Sequence, residues 1–406
     1  MILLIVNPSS PPVNALIRIF RTAFCRSGRT SDACVSIVER PAGPIGRRGS
    51  PDRTTSRAPS AGIRLTTVEI MTLVPTIDIG PWETGDRAKL AASMDEALTR
   101  VGFLQLTGHG IPQATIDGMR DATAAFFALP VEEKLRSAPA DHASDRGYAP
   151  EGTEGLAYSL GETTPPDLSE SFVIGAEDVD RSDPAIAADP YGFFAANIWP
   201  DVPQDMRSAL TEYAAEAHRV ARVLLEIFET ALGLPTGYLD AYARHPTRTL
   251  RVNHFERRAG ALEPLPGQMR LGAHTDYGIL TVLYADSVPG LQIFGPDGAW
   301  HDVVPAEGAL VVNLGDLTAQ WTNDRWRSTL HRVVPPSGPG PSRRRSVAFF
   351  FDGDYDARFE CLPTCQSPEN PPKYPAVLGG EHLITKITGG RTLEPADAMN
   401  TAADRG

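Results

Sequence analysis

Between residues 250 and 351 the sequence falls into eight short runs rich in β-branched and aromatic residues. They lie near 250–256, 270–276, 279–285, 291–294, 300–303, 309–313, 329–334 and 345–351, with a turn every eight to twelve residues. Turn chemistry separates them at Pro289-Gly290, Pro296-Asp297-Gly298 and Pro335 to Pro341. Eight strands so spaced predict a double-sheet jelly roll, a cupin-like barrel. The texture before residue 249 differs. Apolar residues at helical spacing predict helices over Arg87–Val101, Gln113–Phe127, Val131–Arg136 and, the longest, Gln204–Leu232, which Gly233 and Pro235 end. Short strands are expected at Val74–Ile79 and Gly102–Leu106, an ordered loop or lid over Ser137–Gly175, and a last helix from Gly380. The expected fold class is mainly β with flanking helices.

The first seventy residues stand apart. They hold ten Arg, no Lys and four acids, whereas the whole chain carries a net charge of −12. They are rich in Pro, Ser and Gly and lack a sustained hydrophobic period, so residues 1–70 read as a disordered or spurious extension ahead of Met71. The expected division is then 71–248 as the helix-and-strand region with its lid and long helix, 249–390 as the jelly-roll core, and 391–406 as a disordered tail. The acidic balance argues against a nucleic-acid partner, since phosphates want a basic face. No run approaches the roughly 18 apolar residues of a membrane span. Four Cys are too few and too scattered for a disulfide framework, and Cys361-x3-Cys365 has no second pair to complete a metal site. Reduced thiols, a cytoplasmic location and a monomer or weak homo-oligomer are expected.

The chemistry begins at His274-Thr275-Asp276. Residues two apart on a strand share a face, so an imidazole and a carboxylate project side by side and can share one ion. With 9 His and 50 acids in 406 residues, about one His-x-acid pair arises by chance, and the chain has a rival in His254-Phe255-Glu256. The third donor decides between them. His331 lies 55 residues beyond Asp276 in the β-branched stretch Thr329-Leu330-His331-Arg332-Val333-Val334. Two imidazoles and one carboxylate suit non-haem Fe(II) with positions open to oxygen, with a catalytic zinc as competitor. No His-Glu-x-x-His helix, the common zinc hydrolase pattern, is present. Thirteen residues past His331 comes Arg344-Arg345-Ser346-Val347-Ala348-Phe349-Phe350-Phe351. Period two sets Arg344, Ser346, Ala348 and Phe350 on one face, where an Arg with a hydroxyl two residues on can hold a carboxylate.

Together, His274-x-Asp276, His331 and Arg344-x-Ser346 resemble the signature of the Fe(II)/2-oxoglutarate-dependent dioxygenases, in their isopenicillin N synthase-like branch. Asn313-Leu314-Gly315-Asp316, Trp321-Thr322-Asn323-Asp324, Val288-Pro289-Gly290-Leu291-Gln292 and Gly102-Phe103 with Gly108-His109-Gly110 are similar to that branch as well, and the resemblance spans about residues 74 to 390. It implies a double-stranded β-helix core with His274, Asp276 and His331 as iron ligands. It further implies that Arg344 and Ser346 hold the distal carboxylate of 2-oxoglutarate, and that O2 and a small-molecule substrate complete the reaction, releasing succinate and CO2. The substrate is then hydroxylated, desaturated or cyclised, as in secondary metabolism.

The rival pair sits in Arg251-Val252-Asn253-His254-Phe255, which resembles the family's Asn-x-Tyr strand facing the co-substrate. Asn253 then faces 2-oxoglutarate, Phe255 replaces the Tyr, and His254 points to the opposite, packed face. Arg251 shares the parity of Asn253, placing it to pair with Asp276 or to hold an anionic substrate. Arg251, Phe255 and Phe350 are the expected substrate-pocket residues. Two other readings stay open at this point: an oxidase of the same branch that ignores 2-oxoglutarate, and a cupin that binds metal and ligand without turnover.

Overall fold

In the computed structural model, residues 73–140, 145–157, 164–260, 263–336 and 342–389 are described, and one compact unit begins at Leu73. The expectations for residues 1–70, for the tail at 391–406 and for most of the Pro335–Pro341 turn lie outside the described residues. The elements run β1 (Thr76–Asp78), α1 (Arg87–Arg100), β2 (Phe103–Thr107), α2 (Gln113–Phe127), α3 (Val131–Leu135), β3 (Gly147–Ala149), β4 (Glu170–Gly175), α4 (Pro184–Ala187) and α5 (Met206–Leu232). The barrel region follows as β5 (Thr247–Arg257), β6 (Leu271–His274), β7 (Leu280–Ala285), β8 (Leu291–Phe294), β9 (Trp300–Asp302) and β10 (Leu310–Leu314). It closes with α6 (Asp316–Trp321), β11 (His331–Val333), β12 (Ser342–Gly353), β13 (Arg358–Phe359), β14 (Val377–Leu378) and α7 (Gly379–Gly389).

Two sheets form the jelly roll. The larger has the order β1-β2-β10-β7-β12-β5-β4-β3 and the smaller β6-β11-β8-β9. All eight expected barrel strands are present, within a few residues at their ends. The stretch 137–175 differs from expectation: it contributes β3 and β4, and β4 pairs antiparallel along β5 from Glu170↔His254 to Gly175↔Thr249. Its polar and Gly-rich flanks hide a short Phe172-Val173-Ile174 core that is buried once β5 is beside it.

α5 braces the barrel. Met206, Leu210, Tyr213, Ala217, Val220, Leu224 and Ile227 recur at helical spacing and are fully buried, in one core with Val347, Phe349 and Phe351 of β12. Gly233 ends the helix at φ 67°, a left-handed conformation suited to glycine. Outward residues of β12 thus meet α5, which leaves Arg344, Ser346, Ala348 and Phe350 facing the barrel interior. Among the described residues no helix is long and apolar enough to cross a membrane. A chain starting at Met71 is expected to match the full-length chain in melting temperature, because the compact unit begins at Leu73. Thermal unfolding of both checks this, and a large loss on truncation would contradict it.

Candidate metal centre

β6 and β11 are antiparallel neighbours, and their register sets His331 directly opposite His274. The ring centroids lie 4.3 Å apart. β6 ends at His274, so Asp276 stands just past the strand rather than on it. The loop nevertheless returns its carboxylate: Asp276 Oδ1 lies 3.8 Å from His274 Nε2 and 3.7 Å from His331 Nε2. Bonds of about 2.0–2.2 Å let one ion link donors up to about 4.4 Å apart, so a single metal reaches all three. A second grouping, His245, Asp354 and Asp356, also converges among the described residues. There Asp354 is already engaged by the backbone N–H groups of Arg244 and His245, at 3.0 and 2.8 Å.

The surroundings aim each donor. His274 Nδ1 donates to Gly272 O at 2.8 Å and His331 Nδ1 to Thr329 O at 3.1 Å. A carbonyl only accepts, so each Nδ1 carries the proton and each Nε2 turns a lone pair to the site. Asp276 Oδ2 accepts from Thr281 Oγ1 at 2.5 Å and Asn313 Nδ2 at 2.7 Å, which leaves Oδ1 for an ion. Thr281 and Asn313 stand opposite one another in the β7–β10 ladder, so a single register supplies both donors. The Asp276 loop is fixed by Asp316 N donating to Asp276 O at 2.8 Å and Leu317 N to Tyr277 O at 3.0 Å.

Burial shapes the charges. His274, Asp276 and His331 are 7%, 7% and 9% exposed. Burial first, then the charge of His331, lowers the pKa of His274, so that ring stays neutral and able to ligate. Burial alone would raise Asp276, but the two imidazoles and the Thr281 and Asn313 hydrogen bonds hold it below the usual carboxylate range. Neutral imidazole and ionised carboxylate are the forms a divalent ion needs.

Arg344 is 1% exposed. Its Nη1 donates to Ser346 Oγ at 3.2 Å, while Nε is buried with no partner. Burial lowers its pKa to about 10, against the raising effect of Asp286. A buried guanidinium with free donors fits a planar carboxylate ligand. The β5–β12 register sets Phe255 opposite Arg344 and Asn253 opposite Ser346. Phe255 is fully buried, with the Arg344 and Arg270 guanidinium carbons 5.5 and 5.9 Å from its ring centroid.

Arg251 behaves differently from one expectation. It makes a bidentate pair with Glu154, and its Nε donates to Asn253 Oδ1 at 2.8 Å; Asp276 takes Thr281 and Asn313 instead. Phe350 stands opposite Thr281 across the β12–β7 ladder. The rival pair separates: His254 is buried and stacked on Phe127 at 4.7 Å, while Glu256 pairs at the surface with Arg258. Thr281, Arg270 and Asp352 are not among the residues expected from the sequence, and Asn313 enters there only within the Asn313-Leu314-Gly315-Asp316 stretch, without its bond to Asp276. Arg270 shares the period-two series that ends at His274, so parity is the available signal for it, whereas the register of β12 slips at Asp352. Burial, with Asp276 nearby, pushes Asp352 up to about 7.

Comparison with known proteins agrees with this geometry. Residues 74–202 match the family described as the non-haem dioxygenase N-terminal region in morphine synthesis, and residues 246–353 the 2OG-Fe(II) oxygenase superfamily. The chain is 35% identical over 321 residues to a validamycin A dioxygenase of Streptomyces hygroscopicus subsp. limoneus, covering 77% of this chain and 85% of that relative. It is 36% identical over 320 residues to the 2-oxoglutarate-Fe(II) type oxidoreductase hxnY of Emericella nidulans, covering 75% and 87%. The crystal structure of a full-length Neurospora crassa protein in complex with alpha-KG is similar at a TM-score of 0.67 and 28% identity, covering 78% of this chain and 96% of that one. The chain belongs to the 2OG-Fe(II) oxygenase superfamily, and is an Fe(II)- and 2-oxoglutarate-dependent oxygenase acting on a small molecule.

Proposed function

We propose that His274 Nε2, His331 Nε2 and Asp276 Oδ1 hold the Fe(II) of this oxygenase, and that Arg344 with Ser346 holds the distal carboxylate of 2-oxoglutarate. The observation that carries this reading is the convergence of three oriented donors in the same barrel as a buried, under-bonded guanidinium. When bound, the iron and 2-oxoglutarate activate O2, which yields succinate and CO2 and oxidises the substrate. The chain's own residues prepare that chemistry. Gly272 O and Thr329 O fix both tautomers, Thr281 and Asn313 turn Asp276 Oδ1 inward, and burial of the triad limits water. Asn253 and Phe255 wall the co-substrate beside Ser346 and Arg344, and Phe350 lines the substrate side. Arg251, tied to Glu154, fastens the 151–157 segment over the barrel. In this division the jelly roll of 249–390 carries the chemistry and 71–248 supplies the brace and the cover. The protein works in the cytoplasm, with Cys361 and Cys365 as thiols.

Asn313 offers a test of the triad through its orientation. Asn313→Leu leaves Asp276 Oδ2 with Thr281 alone, and loss of such a partner typically costs roughly tenfold to a hundredfold in metal affinity. Glu256→Ala, at the surface, is expected to change nothing. Equilibrium dialysis of Fe(II) under nitrogen reads both. Equal affinities for Asn313→Leu and the unaltered protein would overturn the assigned orientation of Asp276.

A further inference from the structure

At the far end of β12 the ladder with β5 slips. Phe351 lies opposite Arg248 and Gly353 opposite Thr247, which leaves Asp352 as the extra residue of a β-bulge. Gly353 adopts φ +79°, and a Cβ there would meet Ile279 Cδ1 and Tyr242 O at 2.9 Å, so glycine is required for the slip. Bulges re-aim the side chain of the extra residue and concentrate beside active sites. Here the re-aimed group is a carboxylate. It packs on Gly278, two residues past Asp276: a Cβ at Gly278 would fall 1.7 Å from Asp352 Oδ1.

Asp352 is half-buried, and among the described residues no hydrogen bond or cation engages its carboxylate; the charged group it feels is Asp276, of like sign. A structural carboxylate at this end of the strand looks different. Asp354 is fully buried and takes two backbone N–H groups. The rest of the centre balances without Asp352. Each cation near the centre already feels an acid other than Asp352: Arg344 and Arg270 both feel Asp286, and Arg251 feels Glu154, Asp145 and Asp167. Removing a carboxylate from water without a partner costs several kcal/mol, and a cationic ligand relieves that cost.

Resting on the triad assignment above, we propose that Asp352 reads a cationic nitrogen of the substrate, a protonated amine or a guanidinium, and that the enzyme's substrates are bases. The probes are butylguanidine, benzylamine and hexylamine, each beside its neutral isostere: butylurea, benzyl alcohol and hexan-1-ol. Each is titrated into the anaerobic Fe(II)–2-oxoglutarate protein, following perturbation of the metal-to-ligand charge-transfer band. Basic probes are expected to bind roughly tenfold to a hundredfold more tightly than their neutral isosteres. Asp352→Asn, of nearly the same shape, is expected to erase that preference and Asp352→Glu to keep it, with melting temperature and 2-oxoglutarate affinity steady in both. Neutral isosteres binding as well as the bases, no basic probe binding, or a preference that survives Asp352→Asn overturns the proposal. A normal 2-oxoglutarate band with no cation preference overturns this inference alone; a band missing from the unaltered protein overturns the triad reading, and this inference with it.

Discussion

His274→Ala, Asp276→Ala and His331→Ala are each expected to lower Fe(II) affinity by more than about a hundredfold, since loss of a partner one shell further out already costs up to that much. Turnover is expected to vanish with the iron. The barrel should survive, because its stability rests on the apolar core shared by α5, β5, β7, β10 and β12, in which none of the three takes part. Asp276→Ala is expected to be the least stable of the three. It leaves Thr281 Oγ1 and Asn313 Nδ2 without their acceptor, and an orphaned buried donor costs about 1–3 kcal/mol. Iron stoichiometry beside circular dichroism and melting curves separates lost metal from lost fold. Retention of iron by Asp276→Ala together with its loss in Glu256→Ala would reverse the choice between the two His-x-acid pairs.

Arg344→Ala is expected to weaken 2-oxoglutarate binding by roughly tenfold to several hundredfold. Each buried bond to a charged group contributes about 1.5–3 kcal/mol, and about 1.4 kcal/mol is one decade. The effect should fall on co-substrate affinity rather than on iron, because Arg344 is bonded to Ser346 and stacked near Phe255, not on the triad. Arg344→Lys should recover only part of the loss, since an ammonium cannot present the guanidinium's flat fork. Isothermal titration of 2-oxoglutarate into the Mn(II)-loaded protein measures this without turnover. An unchanged affinity in Arg344→Ala would remove Arg344 from the co-substrate site.

The chemistry is legible in sequence where period two acts within a single strand. Arg344 with Ser346 is such a pair, two residues apart on β12, and its shared face follows from the pleat alone. His274 with Asp276 has the same spacing, but Asp276 lies past the end of β6 and meets His274 through the loop held by Asp316 and Leu317. His331 needs the β6–β11 register to meet His274, and only the family resemblance supplies that in advance. What stays hidden depends on pairing between distant segments. Thr281 and Asn313 serve Asp276 only because β7 and β10 are in register. Arg251 finds Glu154 on a segment almost a hundred residues earlier, so no local pattern could show that its charge is matched. β4 reads as loop in the sequence because a six-residue strand amid Gly, Pro and polar residues gains its burial from β5. The bulge at Asp352 rests on Gly353 in a left-handed conformation, which a Gly inside a strand suggests without fixing which neighbour turns inward.

In the proposed centre His274, Asp276 and His331 hold the iron on which 2-oxoglutarate, gripped by Arg344, is bound. Anaerobic titration of 2-oxoglutarate into the Fe(II) protein, read by its metal-to-ligand charge-transfer band, tests this most directly. The expected result is a saturable band at one equivalent of iron, absent from each triad variant and displaced to higher 2-oxoglutarate concentration in Arg344→Ala. A band that persists in His274→Ala, Asp276→Ala and His331→Ala would place the iron elsewhere and contradict the assignment.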